Sequence, residues 1–528
     1  MSLIIAGYYL LCVLFAAQRL LFFARYLQQE EYHPLRFMDW ISRNRFYETK
    51  GTAASILGLA IAFFSPLLGL VISSGLLTFF LLTEQDPRKS GKLPLKMTER
   101  VCTLYTFSLI LSLVVMTGGF LWLPALYPFT SLLFVLQVLP MLLIAGSLLT
   151  LPGEKRKQRR FISEAKAKLQ AGAPYIIGIT GSYGKTSTKE ALGQILQVSL
   201  GAAYWPPKGI NTILGATRHI RENFTSGYTY AIFEMGAYGL GSIKKLCGFT
   251  PPSAAIITAI GTAHLERFGS QEIIKKAKAE LAEALPVHGI LVCNGDDQGA
   301  REIGTEHINK TVLYYGFEPG KGSLDCWISH YKPTPTGTEF VFTWQGRSYA
   351  GVVPLFGKPA ISNAAAAFTL ACALGANPEL AIAALANLQP VENRLCYQNS
   401  GGIAYLQDAY NSNPCGFSAA LRVLKELPCK RRILITPGMI ELGQLQAEAN
   451  RTAALEAAGI CDLAIVVGPT NREALIGGLK AGGLNDDKII VQPDRAQAFR
   501  LLQELKQPGD LILIENDLPD IYEGISRI

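Results

Sequence analysis

Four long apolar runs, nearly free of charge, at roughly 3–24, 51–83, 101–122 and 127–150, leave the first 150 residues few folds to choose from. Backbone polar groups surrounded by hydrocarbon must find partners within their own segment, which restricts such runs to helices. About 20 helical residues cross a ~30 Å hydrocarbon core, so the first, third and fourth runs fit one crossing each. The second would reach roughly 50 Å as a single helix. Arg25, Arg36, Arg43, Arg45 and Lys50 precede it, and Arg88, Lys89, Lys92, Lys96 and Arg100 follow it. The positive-inside rule puts both of its ends on the cytoplasmic side, so the run must turn back, with the bend near Ser65-Pro66. The tract Lys155-Arg-Lys-Gln-Arg-Arg160 keeps everything downstream in the cytoplasm. Five segments with the N-terminus outside meet these constraints; because the legs of 51–83 are short, a re-entrant hairpin is the other arrangement open.

The net charge of +8 does not point to nucleic acid, because much of the basic excess flanks the apolar runs and no aromatic-interleaved basic stripe is present. The ten cysteines form no C-x-x-C pair, which argues against a zinc ribbon and for reduced thiols in the cytoplasm. The run Leu3–Phe23 lacks the basic start and small-residue cleavage site of a signal peptide.

Beyond the basic tract the pattern changes. Residues 161–171 read as a short amphipathic helix. Apolar strands at 175–180, 229–234, 254–259, 289–293 and 311–315 then alternate with helical stretches, the rhythm of a parallel α/β sheet. Residues 325–353 read as a small antiparallel flap, followed by an alanine-rich helix at 362–375. A second α/β series starts after Pro390, with strands near 403–407, 431–436, 463–467, 488–491 and 511–515. The expected division is a multi-span membrane domain (1–150), a basic cytoplasmic linker (151–172), a central ATP-binding domain of the P-loop kind (173–392) and a Rossmann-like C-terminal domain (393–528).

Chemistry-bearing residues gather where strands end. Gly178-Ile-Thr-Gly-Ser-Tyr-Gly-Lys-Thr-Ser187 joins a strand to a helix, and a glycine turn there aims backbone N–H groups and a helix N-terminus at an anion. Lys185 can reach outer phosphates and the Thr186 hydroxyl can ligate Mg²⁺. The loop departs from the general phosphate-loop pattern, because Ile179 stands where its first glycine belongs. Glu234 ends the strand at 229–234, a place for a metal-holding carboxylate. His264 follows another strand and could ligate a second metal. Lys278 and Glu280 lie on the next helix; a lysine turned inward with a depressed pKa can take up CO₂ as a carbamate, whereas a solvated lysine is the ordinary case. Asn294-Gly-Asp-Asp297 could read adenine or simply make a turn. Arg394 could pair with phosphate oxygens, and Asp408-Ala-Tyr-Asn-Ser-Asn-Pro414 closes the first strand of the last domain.

In order and spacing these motifs resemble the Mur ligase family, and within it the D-alanyl-D-alanine-adding type. Thr180-Gly-Ser-Tyr-Gly-Lys-Thr186 is similar to its T-G-T-x-G-K-T loop, displaced glycine included. Glu234-Met-Gly-Ala237, Ala263–Ser270, Lys278, Asn294–Asp297, Arg394 and Asp408–Pro414 follow in family order. The resemblance covers roughly 175–515 and implies ATP-dependent amide-bond formation through an acyl phosphate. It implies that Thr180, Gly181, Ser182, Gly184, Lys185, Thr186, Ser187, Asn294, Asn363, Arg394 and Asp408 bind ATP. It implies two Mg²⁺ sites, one held by Thr186 and Glu234 and one by His264 and a carbamylated Lys278, with Lys185, Glu234, His264 and Lys278 serving catalysis.

The departures matter as much. Apolar helices stand where the family carries a UDP-sugar-binding domain. The family's G-x-H-N-x-x-N appears as Gly357-Lys-Pro-Ala-Ile-Ser-Asn363, and Glu515-Asn-Asp-Leu-Pro-Asp520 replaces a K-G-S-R-type segment. The expectation is therefore a multi-pass enzyme of a bacterial inner membrane with its catalytic domains in the cytoplasm. Its substrates would be a small-molecule or lipid-linked carboxylate and an amine, and its partners membrane lipids and a membrane subunit, with no nucleic acid. A poly-γ-glutamate-type synthase and a lipid-II amidating ligase are the alternatives in class; the latter's four-cysteine zinc insertion is missing here. An ATP-driven transporter is the alternative of another class. It calls for polar residues inside the spans, where Arg19 is the exception among nearly none.

Overall fold

The computed structural model describes the chain apart from residues 1, 31, 44–47, 91–92, 123–126, 208, 262–267, 319–321, 335, 390–394, 410–411 and 518–528. Two compact units result, Met1–Gln158 and Arg159–Leu518.

The first unit is helical: α1 (Ser2–Gln29), α2 (Pro34–Arg43), α3 (Lys50–Ala62), α4 (Pro66–Thr83), α5 (Glu99–Trp122) and the start of α6 (Tyr127–Gly172). Four of the described helices are long and apolar enough to cross a membrane, and α3 is a shorter apolar helix. The bend in the second run falls where the sequence places it. Ser65 accepts from the Leu68 N–H and Pro66 opens α4, a position that needs no N–H donor. With 13 residues α3 is only about 20 Å long. It packs tightly on α4, because a Cβ at Gly69 would strike the Gly58 carbonyl. Large apolar side chains point outward, Leu10, Phe64 and Leu82 among them, while charge is turned inward. Arg19 is 3% exposed, pairs with Glu84, and has its Nε 3.3 Å from Glu48. Lys50 reaches Glu84 at 2.8 Å. The lone charge read inside the first span is thus neutralised.

Helix α6 differs from expectation. It runs without interruption through Pro140 and Pro152, so the short helix expected over 161–171 is its last part. A proline removes one hydrogen bond and crowds the preceding turn, but the Glu, Lys, Arg, Gln and Ala residues that follow are strong helix formers and carry the helix on.

The second unit holds two mixed α/β sheets. The first has nine strands in the order β2-β3-β1-β4-β5-β6-β7-β8-β9. Strands β1 (Tyr175–Thr180), β2 (Ala203–Tyr204), β3 (Tyr230–Glu234), β4 (Ala254–Ile257), β5 (Ile290–Asn294) and β6 (Thr311–Gly316) run parallel. The antiparallel flap comprises β7 (Cys326–Thr334), β8 (Gly337–Trp344) and β9 (Arg347–Val353). Helix α7 (Lys185–Ser199) and the helix Lys358–Ala373 share one apolar core with the sheet, and the helix Gln271–Glu283 lies in a second. The register aligns Ile179 with Glu234, Thr180 with Ile257 and Ile257 with Cys293. The glycine loop, Glu234, Thr258 and Asn294 therefore emerge at one carboxyl edge, the edge where open parallel sheets bind ligands.

The second sheet has the order β10-β11-β15-β12-β13-β14. Its strands are β10 (Cys396–Ser400), β11 (Ile403–Asp408), β12 (Arg431–Thr436), β13 (Leu463–Val467), β14 (Ile489–Gln492) and β15 (Asp510–Glu515). All run parallel except β10, and Asp408 sits beside Glu515 in register. Strands β2 and β10 were not foreseen. The first has two residues, and the second, Cys-Tyr-Gln-Asn-Ser, lacks apolar alternation.

Candidate nucleotide and metal site

The loop between β1 and α7 needs both of its inner glycines. Gly181 and Gly184 have φ of 155° and 82°, values that cost a side-chain-bearing residue energy. Space excludes a side chain as well: a Cβ at Gly181 would overlap the Thr258 hydroxyl, and one at Gly184 the Asn363 carboxamide. The displaced glycine is thus the one that lets the loop press against the segment after β4. That segment holds it. The Ser182 N–H donates to the Ala259 carbonyl at 2.8 Å, the Gly261 N–H donates to Ser182 Oγ at 2.9 Å, and the Thr258 hydroxyl donates to the Tyr183 carbonyl. Thr180 Oγ1 donates to the Met235 carbonyl at 2.9 Å, tying β1 to the end of β3.

Lys185 opens α7 and curls over the loop, its Nζ 2.6 Å from the Gly181 carbonyl and 3.4 Å from that of Ser182. The next residue, Thr186, is buried and donates from Oγ1 to Glu234 Oε2 at 3.1 Å; Ser187 is half-buried. Glu234 is buried at the end of β3. Its Oε1 faces the Lys189 ammonium at 3.0 Å, off the alignment of a hydrogen bond. A hydroxyl and a carboxylate side by side are hard oxygen donors of the kind Mg²⁺ takes one or two of while keeping its waters, so the pair fits that ion. Among the described residues no group of three His, Cys, Asp or Glu side chains gathers to hold a metal.

Lys278 is turned inward: 5% of it is exposed. Burial first, and the Lys185 charge second, push its ammonium well below the usual lysine range, which favours a neutral amine. Glu280, on the same helix, accepts from the backbone N–H groups of Gly241 and Lys244 and so caps the helix Ser242–Phe249.

Asn294-Gly-Asp-Asp297 is occupied with backbone. Asn294 Nδ2 donates to the Thr258 carbonyl at 2.8 Å and its Oδ1 accepts from the Asp296 N–H at 3.0 Å. Asp296 accepts from Phe317 and Glu318, and Asp297 from Ala300 and Ile260. The motif thus fixes the segment after β4 that braces the glycine loop. Asp408 accepts from the Leu395 N–H at 3.2 Å. Beside it Glu515 is fully buried, accepts from the Ser412 hydroxyl at 2.6 Å, and is held well above the usual carboxylate range by burial and then by the Asp408 charge. The expectations for His264 and Arg394 lie outside the described residues.

One residue of the cluster was not foreseen. Lys189 is wholly buried and joins Glu234 to α7. Its signal in the sequence is the four-residue step from Lys185, which puts both lysines on one face of the helix.

The Mur ligase middle domain matches residues 179–371, and the Mur ligase glutamate ligase domain matches 393–515. The chain is 34% identical over 284 residues to UDP-N-acetylmuramoyl-tripeptide--D-alanyl-D-alanine ligase of Escherichia coli (strain K12), a stretch covering 54% of this chain and 62% of that enzyme, less than two thirds of it. It is 32% identical over 374 residues to the enzyme of the same name from Mycobacterium tuberculosis (strain CDC 1551 / Oshkosh), covering 66% and 71%. Among solved structures, MurF from Acinetobacter baumannii superposes with a TM-score of 0.60 at 25% identity, over 68% of this chain and 77% of that one. MurF ligase from Thermotoga maritima in complex with ADP gives 0.60 at 25% identity, over 68% and 80%. With both domains matched in order along the chain, the chain belongs to the Mur ligase family, a family of ATP-dependent carbon–nitrogen ligases.

Proposed function

We propose that the protein is a membrane-held ligase that joins a carboxylate to an amine through an acyl phosphate at the cost of ATP, on a cell-wall precursor met at the inner membrane face. The reading rests on the Thr186–Glu234 oxygen pair beneath a braced glycine loop, with Lys185 poised above it and Lys278 buried alongside.

On this reading the loop amides and Lys185 take the phosphates; Lys185 exchanges the Gly181 and Ser182 carbonyls for phosphate oxygens. Thr186 and Glu234 would hold one Mg²⁺, and Lys278, once its neutral amine had added CO₂ and released a proton to become a carbamate, would hold a second with His264. When bound, the ions neutralise charge on the transferring phosphoryl group. The substrate carboxylate attacks the γ-phosphorus and ADP leaves; the amine then attacks the acyl carbon and phosphate leaves. Positioning and fixed charge supply the acceleration. Asn363, against Gly184, and Asn294 keep the loop in shape, while Arg394 and Asp408 bring the C-terminal domain to the nucleotide, and its closure gates the reaction.

The relatives' names give UDP-N-acetylmuramoyl-tripeptide as carboxylate and D-alanyl-D-alanine as amine, so a peptidyl carboxylate and an amino-acid-like amine are the first classes to test. Membrane placement is supported by the outward-facing apolar side chains of the first unit, its four long apolar helices and its flanking cations. Such placement suits a carboxylate carried on a lipid, and a membrane subunit to deliver it.

Full-length protein in lipid nanodiscs should release ADP and phosphate only when both a carboxylate and an amine are supplied, and hydroxylamine should trap the activated carboxylate as a hydroxamate. ATP hydrolysis at full rate without an acceptor would overturn the ligase reading in favour of transport.

A further inference from the structure

Lys185 and Lys189 lie one helical turn apart on α7, yet they meet different groups. Lys185 stays with the loop carbonyls, whereas Lys189 points into the seam between α7 and the sheet, where it is 0% exposed. An ammonium carries three N–H donors and no acceptor; here it donates to the Pro206 carbonyl and lies within ion-pair distance of two carboxylates, Glu234 Oε1 at 3.0 Å and Glu190 Oε1 at 3.3 Å. The other Glu190 oxygen accepts from Trp205 Nε1 at 2.8 Å. Lys189 therefore ties the end of β3 to the segment that follows β2, with its charge committed to buried carboxylates.

A buried ion pair is poor evidence of stabilisation, because desolvating both charges offsets their attraction. A methionine of similar length would fill the same seam without that cost. What the lysine does, and a methionine cannot, is divide the two oxygens of Glu234. Oε1 is held on the Lys189 side, while Oε2 is left toward the Thr186 hydroxyl, where the proposed ion would sit.

We propose that Lys189 is a positioning residue of the ligase reaction: it orients Glu234 so that one oxygen meets Mg²⁺ beside Thr186. The proposal rests on the reading of Thr186 and Glu234 as holding Mg²⁺, and the test separates the two. ADP binding to the full-length protein in nanodiscs is measured by calorimetry with Mg²⁺ and with EDTA, alongside the Mg²⁺ half-saturation of ADP release. In the wild type Mg²⁺ should tighten ADP binding; no tightening there overturns the metal assignment itself, and Lys189's role with it. In Lys189→Met, ADP affinity in EDTA should stay within twofold, the Mg²⁺-dependent tightening should shrink tenfold or more, and the Mg²⁺ half-saturation should rise by a similar factor. Equal tightening in wild type and variant, or an equal loss with and without Mg²⁺, overturns the positioning role and leaves the metal reading standing. If Lys189→Met does not fold, Lys189→Arg carries the test. Its larger head keeps the charge but displaces Glu234, so the Mg²⁺ half-saturation should rise at least threefold, and an unchanged value overturns the proposal.

Discussion

The Thr186 hydroxyl donates to Glu234 Oε2 across 3.1 Å, although the first residue belongs to a helix start and the second to a strand end 48 positions later. Parallel pairing of β1 with β3 makes the meeting unavoidable, because Ile179 and Glu234 are register partners. Glu234→Gln keeps the shape but replaces the anionic carboxylate of the pair with a neutral carboxamide. ADP release should fall at least about 100-fold, the scale at which a single fixed electrostatic group is lost, and raising Mg²⁺ should recover little of it. Initial rates over a Mg²⁺ series check this.

The same substitution has a cost in stability that a surface change would not. It leaves the Lys189 ammonium buried with only Glu190 and the Pro206 carbonyl. Removing one partner of a buried pair costs about 3–5 kcal/mol, and the shared Glu190 sets the expectation at the lower end. Adding Lys189→Met to Glu234→Gln should restore much of the loss. Urea midpoints of the two single variants and the double variant should therefore be non-additive, whereas strict additivity would mean the two residues do not interact.

Lys185→Ala removes the side chain that curls over the Gly181 and Ser182 carbonyls. The backbone cradle remains, so ADP should still bind within about tenfold, while ATP turnover should be lost. Calorimetry with ADP and a steady-state assay with ATP separate the two effects; normal turnover would remove the phosphate role of this lysine.

The strand-end motifs were legible because their chemistry is local. A glycine that must take a φ of 82°, as Gly184 does, and a carboxylate that ends an apolar strand announce themselves in a single sequence. The inward turn of Lys278 was open rather than legible, since a helix lysine is ordinarily solvated, and the burial that decides it comes from tertiary packing. Lys189 was missed for the same reason. Its three oxygen neighbours lie at positions 190, 206 and 234, and no local pattern brings them together. Residues 161–171 read as a short helix of their own, but α6 runs into them through Pro152, because the helix formers beyond it outweigh one lost bond. Asn294–Asp297 showed the converse: its turn-making side was legible and is what the hydrogen bonds display.

Glu515 predicts a pH dependence of the C-terminal sheet. Its carboxyl is held well above the usual range by burial and by Asp408, so between about pH 4.5 and its folded value the native state binds more protons than the unfolded one. Stability contributed by the protonated form is fully present below the unfolded pKa and is lost as pH rises through the folded one. Glu515→Gln keeps an acceptor for the Ser412 hydroxyl and removes the charge. The variant should melt at least about 2 °C higher at pH 8, with the gain shrinking as pH falls toward 4.5. A gain that grows on acidification would reverse the sign and exclude the explanation.

In the first unit, Arg19 is the place where a single change should loosen the helices. It is buried and holds Glu84 and Glu48, one from each end of the α3–α4 hairpin, against α1. Arg19→Met leaves Glu84 with Lys50, at 2.8 Å, and Glu48 with the Gly51 and Thr52 N–H groups, at 3.1 Å each. Both carboxylates keep partners, so the loss should be about 3 kcal/mol rather than more. Arg19→Lys should recover only part of it, because an ammonium cannot present the guanidinium fork to two carboxylates at once. Glu48→Gln in the Arg19→Met background should recover more, since it removes the charge left without a cation. Thermal melts of the three variants in one detergent, ordered Arg19→Met lowest, check the assignment. Identical melting of Arg19→Met and wild type would show that the ion pairs do not hold the hairpin to α1.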